Sequence, residues 1–111
     1  MIEDNIVRVG RDEAMSHLKP KLNGYRRCWG RIYIGVTANP EKRWAKHSRN
    51  AWEKMVLIYE AYNRDIAIDL ERDLIDYAHR CNFLIPPDNT NPGGEGVRNE
   101  QRYYLYLLVG N

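Results

Sequence analysis

Arg31-Ile32-Tyr33-Ile34-Gly35-Val36-Thr37, followed after Ala38 by Asn39-Pro40-Glu41-Lys42-Arg43-Trp44-Ala45-Lys46-His47, decides how this chain is read. Ile32, Ile34 and Val36 alternate with Tyr33, Gly35 and Thr37, the period of a strand with one apolar face. Asn39 then supplies a helix cap, Pro40 a first helical residue with fixed φ, and Glu41 an acid in the first turn. The reading is a strand over 31–37 and a helix over about 40–49.

Outward from this unit the elements follow one another closely. Residues 12–19 predict a short helix with Ala14, Met15 and Leu18 at helical spacing, ended or bent by Pro20, with Asn23-Gly24 as a turn. Residues 55–62 predict a second strand. Residues 65–80 predict the strongest helix, with Ala67, Leu70, Leu74, Tyr77 and Ala78 on its apolar face. The Pro-, Asn- and Gly-rich stretch 86–96 predicts a functional loop. The run Tyr103-Tyr104-Leu105-Tyr106-Leu107-Leu108-Val109 predicts a strand. The expected class is α+β in a single domain over 1–111. Its small, mainly antiparallel sheet has three strands (31–37, 55–62, 103–109) flanked by helices (12–19, 40–49, 65–80).

The net charge of +2 hides an uneven distribution. Residues 26–54 carry eight Lys/Arg against two Asp/Glu, whereas residues 55–111 carry five against nine. The basic block is interleaved with Trp29, Tyr33, Trp44 and Trp52, a pattern suited to a polyanion. Arg26, Arg27, Arg31, Lys42 and Lys46 are its candidate nucleic-acid contacts. Cys28 and Cys81 fit no metal-ligand spacing and are expected as free thiols in a reduced, intracellular setting. Residues 1–10 are too short and charged for a secretory signal, and no apolar run is long enough for a membrane span.

Four residues carry chemistry. Tyr33 lies on the strand face opposite Ile32, Ile34 and Val36, above a Gly35 that leaves room for an approaching phosphate; an ordinary exposed strand tyrosine carries the same pattern. Its phenol needs a cation nearby to ionise near neutrality. Arg43 and His47, four apart, share one helix face. A guanidinium suits phosphate, and an imidazole beside it can bind the same group or relay a proton. Glu71 lies at the edge of the apolar stripe of its helix. A carboxylate there needs an internal cation such as Arg43, or a metal ion. One carboxylate, waters and a substrate phosphate are a normal Mg²⁺ environment.

Together Tyr33-Ile34-Gly35, Arg43 ten residues after Tyr33, His47 and Leu70-Glu71-Arg72-Asp73-Leu74-Ile75 resemble the GIY-YIG endonuclease superfamily, here a small stand-alone nuclease core. Asn89 or Asn91, before Gly93-Gly94, is similar to the family's asparagine element. The resemblance spans about residues 31–96. It implies a DNA endonuclease that attacks phosphorus with water and uses Mg²⁺ or Mn²⁺ on Glu71, with RNA as an alternative substrate and silent nucleic-acid binding as an alternative role. It implies Tyr33, Arg43, His47 and Glu71 as catalytic residues, Gly35, Asn89 and Asn91 as supporting ones, and a monomer or a homodimer. The family's first strand, Gly-Ile-Tyr, is replaced here by the polar Gly24-Tyr25-Arg26. Two candidates for the first motif tyrosine follow. One is Tyr25, close before Tyr33. The other is Tyr106, on a C-terminal strand that lies antiparallel beside 31–37 in a circularly permuted fold.

Overall fold

The computed structural model describes residues 1–80 and 102–111. Their order is β1 (Ile2–Val7), α1 (Arg11–Cys28), β2 (Arg31–Thr37), α2 (Pro40–His47), a 3₁₀ turn (Ser48–Asn50), β3 (Lys54–Ala61), α3 (Arg64–Arg80) and β4 (Tyr103–Gly110). One four-stranded sheet joins them in the order β1-β3-β4-β2. β4 runs antiparallel to both β2 and β3, and β1 runs parallel to β3. The class is α+β and two of the three strand pairings are antiparallel, but the sheet is mixed, with four strands rather than three.

Two expectations are corrected near the start of the chain. Residues 2–7 form the additional strand. Its polar residues are tolerated because β1 is an edge strand: the Glu3 carboxylate accepts from Lys54 Nζ at 2.8 Å and from the Tyr25 hydroxyl at 2.8 Å. The first helix does not stop near residue 19 but runs from Arg11 to Cys28, through Pro20 and through the expected Asn23-Gly24 turn. Ala14, Leu18 and Leu22 recur every fourth residue and are wholly buried. Pro20 is exposed on the outer side, where water meets the carbonyl that its missing N–H leaves unbonded.

Both sheet faces are covered. On the first, Ile32, Ile34, Val36, Val56, Ile58, Leu105, Leu107 and Val109 pack against α1 and α3. On the second, Met55, Leu57, Tyr106, Leu108 and Trp52 form a smaller cluster with Ile2, Ile6, Tyr33, Trp44 and Tyr104. This double burial explains why β4 reads as a nearly unbroken apolar run: as a central strand it feeds both cores. A bulge between Leu57 and Tyr59 swings Tyr59 onto the first face, where its hydroxyl donates to Val9 O at 2.8 Å. Among the described residues no helix is long and apolar enough to cross a membrane.

Candidate active site

The second sheet face owes its chemistry to the junction between β2 and α2. Thr37, the last residue of β2, accepts at Oγ1 from Asn39 N–H and donates to Asn39 O. The Asn39 side chain in turn accepts from Lys42 N–H at 3.1 Å and closes the first turn of α2. Helix direction is thereby tied to strand direction. Pro40, Arg43, Trp44 and His47, spaced three and four apart, are the half-buried residues of α2 and share its inward face. Lys42 and Lys46 are exposed beside them.

Register does the rest. Gly35 of β2 lies directly opposite Tyr106 of β4, so both belong to the face that carries Tyr33. The Tyr33 and Tyr106 rings stack with centroids 6.3 Å apart. The His47 ring lies 5.3 Å from the Tyr33 ring, and its Nε2 is 3.2 Å from the Tyr106 hydroxyl. Ala51, in the left-handed region at φ 65°, turns the chain after α2 and delivers Trp52 edge-on to Tyr33, centroids 6.2 Å apart. The β2–α2 unit and the distant β4 thus meet at one cluster of two phenols and an imidazole.

Gly35 serves the packing of this cluster. A Cβ at this position would stand 2.5 Å from both Cζ and Oη of Tyr106. The missing side chain makes room for a tyrosine of the same protein. Gly35→Ala is therefore expected to displace the Tyr106 ring, break its contact with His47 and destabilise the fold by about 2 kcal/mol, the usual range for overpacking. Urea unfolding and the His47 NMR titration check the two effects separately.

Glu71 is the one buried carboxylate among the described residues, at 1 % exposure, and its Oε1 accepts no hydrogen bond. It belongs to α3, which packs against β2 and β4. Burial raises its pKa to about 7, against the opposing pull of the Arg43 charge. Tyr33 holds its proton more tightly than a free phenol, first through burial and then through the Glu71 charge, with Arg43 opposing. His47 titrates lower than a free imidazole because of burial, Arg43 and Lys46, in that order. At neutral pH the ligand-free cluster therefore holds a neutral imidazole and a protonated Tyr33 phenol, with Glu71 near its midpoint.

The remaining candidates fall elsewhere. Tyr25 hydrogen-bonds Glu3 and accepts from Asn5 at 2.9 Å, which places its hydroxyl at β1, the sheet edge opposite β2. It does not sit beside Tyr33. Arg26 and Arg27 lie in the last turn of α1, the helix that covers the first face. Arg31 does join the cluster: its guanidinium carbon lies 4.0 Å from the centre of the Trp52 ring. The expected loop 86–96, Asn89, Asn91 and Cys81 lie outside the described residues. Cys28 is a free, exposed thiol. Trp52, one of the aromatics interleaved with the basic block, is buried and borders Tyr33. The alternation of Arg31 and Tyr33 on one strand face was the signal available for this grouping.

The described residues offer a metal ion few protein ligands. Among the described residues no three His, Cys, Asp or Glu side chains converge. Among the described residues Glu71 fits such an ion, because a buried carboxylate oxygen without a hydrogen bond is stabilised by a cation. Compared with protein-family models, with curated proteins and with solved structures, the chain matches none.

Proposed function

We propose that this protein is an endonuclease that hydrolyses DNA phosphodiester bonds on the face formed by β2, α2 and β4, with the catalytic plan of the GIY-YIG enzymes. The observation that carries the reading is the meeting of Tyr33, His47 and Tyr106 within ring contact, electrostatically coupled through Arg43 to a buried Glu71 whose Oε1 lacks a hydrogen bond. A structural cluster has no need of an unsatisfied carboxylate, which costs stability.

In this reading Glu71 holds Mg²⁺ or Mn²⁺, which when bound would offset the negative charge of the phosphate and its leaving oxygen. Arg43 grips the non-bridging oxygens of the scissile phosphate through its planar donor fork. Its contact strengthens as charge builds there. Tyr33 keeps its proton and orients the attacking water by hydrogen bonding. His47, neutral at pH 7, is the group able to accept the proton that the water loses as its oxygen bonds phosphorus and the P–O bond to the leaving group breaks. Tyr106, against His47 Nε2, fixes the ring. In this reading β4, antiparallel beside β2, takes the part of the family's first motif strand in a circularly permuted arrangement, with Tyr106 as the first motif tyrosine.

Arg31, Lys42 and Lys46 border the same face and suit a DNA backbone. The described residues include few base-reading elements, which fits weak sequence specificity or recognition of DNA shape. The test is incubation of the protein with plasmid DNA and with structured RNA in Mg²⁺, Mn²⁺ or EDTA. Nicked or linear plasmid formed only with metal is the expected result. RNA cleavage alone would redirect the reading to RNA, and binding without cleavage in either metal would leave a silent binding module.

A further inference from the structure

The Tyr106 hydroxyl and His47 Nε2 lie 3.2 Å apart, and either atom can carry the proton between them. The two arrangements are not equivalent. If the phenol donates, it occupies the one lone pair of the neutral imidazole, and Nδ1 carries the ring proton. His47 can then take up no further proton without breaking the contact. If Nε2–H donates to the phenol oxygen, Nδ1 keeps its lone pair, and the hydrogen bond persists when the ring becomes charged.

The surroundings favour the second arrangement. Tyr106 is 1 % exposed, and its hydroxyl end sits against the backbone of Gly35, where a Cβ would stand 2.5 Å from both Cζ and Oη. The phenol oxygen is therefore a fixed point to which the imidazole is fitted. Tyr33 packs against both rings, with centroids 5.3 Å from His47 and 6.3 Å from Tyr106. Among the described residues the titratable and charged groups facing His47 are Tyr33 on β2, Tyr106 on β4 and, on its own helix, Arg43 and Lys46. None of these is a carboxylate that would draw a proton onto Nδ1. Free histidine also prefers its proton on Nε2.

We propose that Tyr106 Oη accepts the Nε2–H of His47 and so fixes the tautomer in which Nδ1 takes the proton of the attacking water. Tyr106 is thus a positioning residue. This rests on the nuclease reading above and adds to it the reactive atom of His47. The water O–H bond breaks and its proton passes to Nδ1 as the oxygen bonds phosphorus. The electron pair of the breaking P–O bond leaves with the departing oxygen, which solvent protonates. The imidazolium then returns its proton to solvent. The hydrogen bond from Nε2 to Tyr106 is kept throughout.

The test begins with NMR of the metal-free protein labelled with ¹⁵N-histidine. Its three imidazoles are told apart by the signals missing from His47→Gln. Above the His47 titration, Nε2 is expected to show the shift of a protonated nitrogen and Nδ1 that of a bare one. Tyr106→Phe keeps the ring and removes only the hydroxyl. An acceptor at Nε2 stabilises the imidazolium, whereas a donor stabilises the neutral ring. The His47 pKa is therefore expected to fall in Tyr106→Phe. Single-turnover cleavage should fall about tenfold while DNA binding in EDTA is unchanged. Thermal unfolding confirms that the variant is folded. A wild-type spectrum with the proton on Nδ1 overturns the assignment, as does a His47 pKa that rises or stays in folded Tyr106→Phe. The nuclease reading then stands with another base. If the wild-type protein cuts no DNA, the nuclease reading falls, and with it the role of Nδ1 in cleavage, while the spectrum still decides the tautomer.

Discussion

Glu71→Gln will fold, will be more stable than the parent at pH 8 and, if the proposed nuclease function holds, will lose DNA cleavage by at least about a thousandfold, because the site would have lost the carboxylate that holds its metal ion. The stability effect follows from the raised pKa. Folded Glu71 titrates at about 7, and an unfolded glutamate near 4.3. Between these values the folded state binds more protons than the unfolded one. This residue's contribution to stability is therefore fully present below about pH 4 and is lost as pH rises through 7. The loss is on the order of 3 kcal/mol. Glutamine does not titrate, so the variant escapes it. Urea unfolding of both metal-free proteins at pH 5 and pH 8 should show the advantage of the variant at pH 8 shrinking at pH 5. Comparing the two proteins cancels Glu3 and Glu60, whose lowered pKa values act in the opposite sense in both. Mn²⁺ should raise the melting temperature of the wild-type protein and not that of the variant. A folded Glu71→Gln protein that still cleaves at a near-normal rate would remove Glu71 from the metal role.

Arg43→Ala is expected to lower the single-turnover cleavage rate by about a hundredfold to ten-thousandfold while DNA affinity falls much less, the pattern of a contact that strengthens in the transition state. A second readout is independent of activity. Arg43 lowers the pKa of both His47 and Glu71. Its removal should move the His47 NMR titration upward and push Glu71 further above its ordinary value. A rate unchanged at saturating DNA, with affinity alone reduced, would make Arg43 a simple backbone anchor. Arg43→Lys should fall between, since it keeps the charge but not the donor fork.

Much of the fold is legible in local pattern. The β2–α2 unit follows from strand alternation and from the Asn39-Pro40-Glu41 helix start, and the structure has this cap hydrogen bond by bond. The last strand follows from its apolar content, which only a central position can bury. What escapes is tertiary. Ile2-Glu3-Asp4-Asn5 is too polar to read as a strand until Lys54 and Tyr25 are seen to satisfy Glu3. Pro20 and Gly24 signal a break that three buried residues on the opposite face of α1 override. The site divides in the same way. Tyr33, Arg43, His47 and Glu71 are marked by face and spacing. The contact between His47 and Tyr106, and the reason for a glycine at position 35, depend on a strand register that no local window contains. The proton held on Tyr33 and the one withheld from His47 are likewise set by burial, which the sequence shows only indirectly.

β4 occupies the middle of the sheet yet is the last of the described elements to be synthesised. During translation β2 and β3, its two neighbours, emerge with no hydrogen-bonded partner between them, and β1 can pair only with β3. The sheet can close only after Tyr106 has left the ribosome, through contacts that span most of the chain. Such long-range closure is slow compared with helix formation. A ribosome-stalled chain ending before residue 103 should therefore hold helices without a closed sheet, and the cluster of His47, Tyr33 and Tyr106 should form only once β4 has emerged.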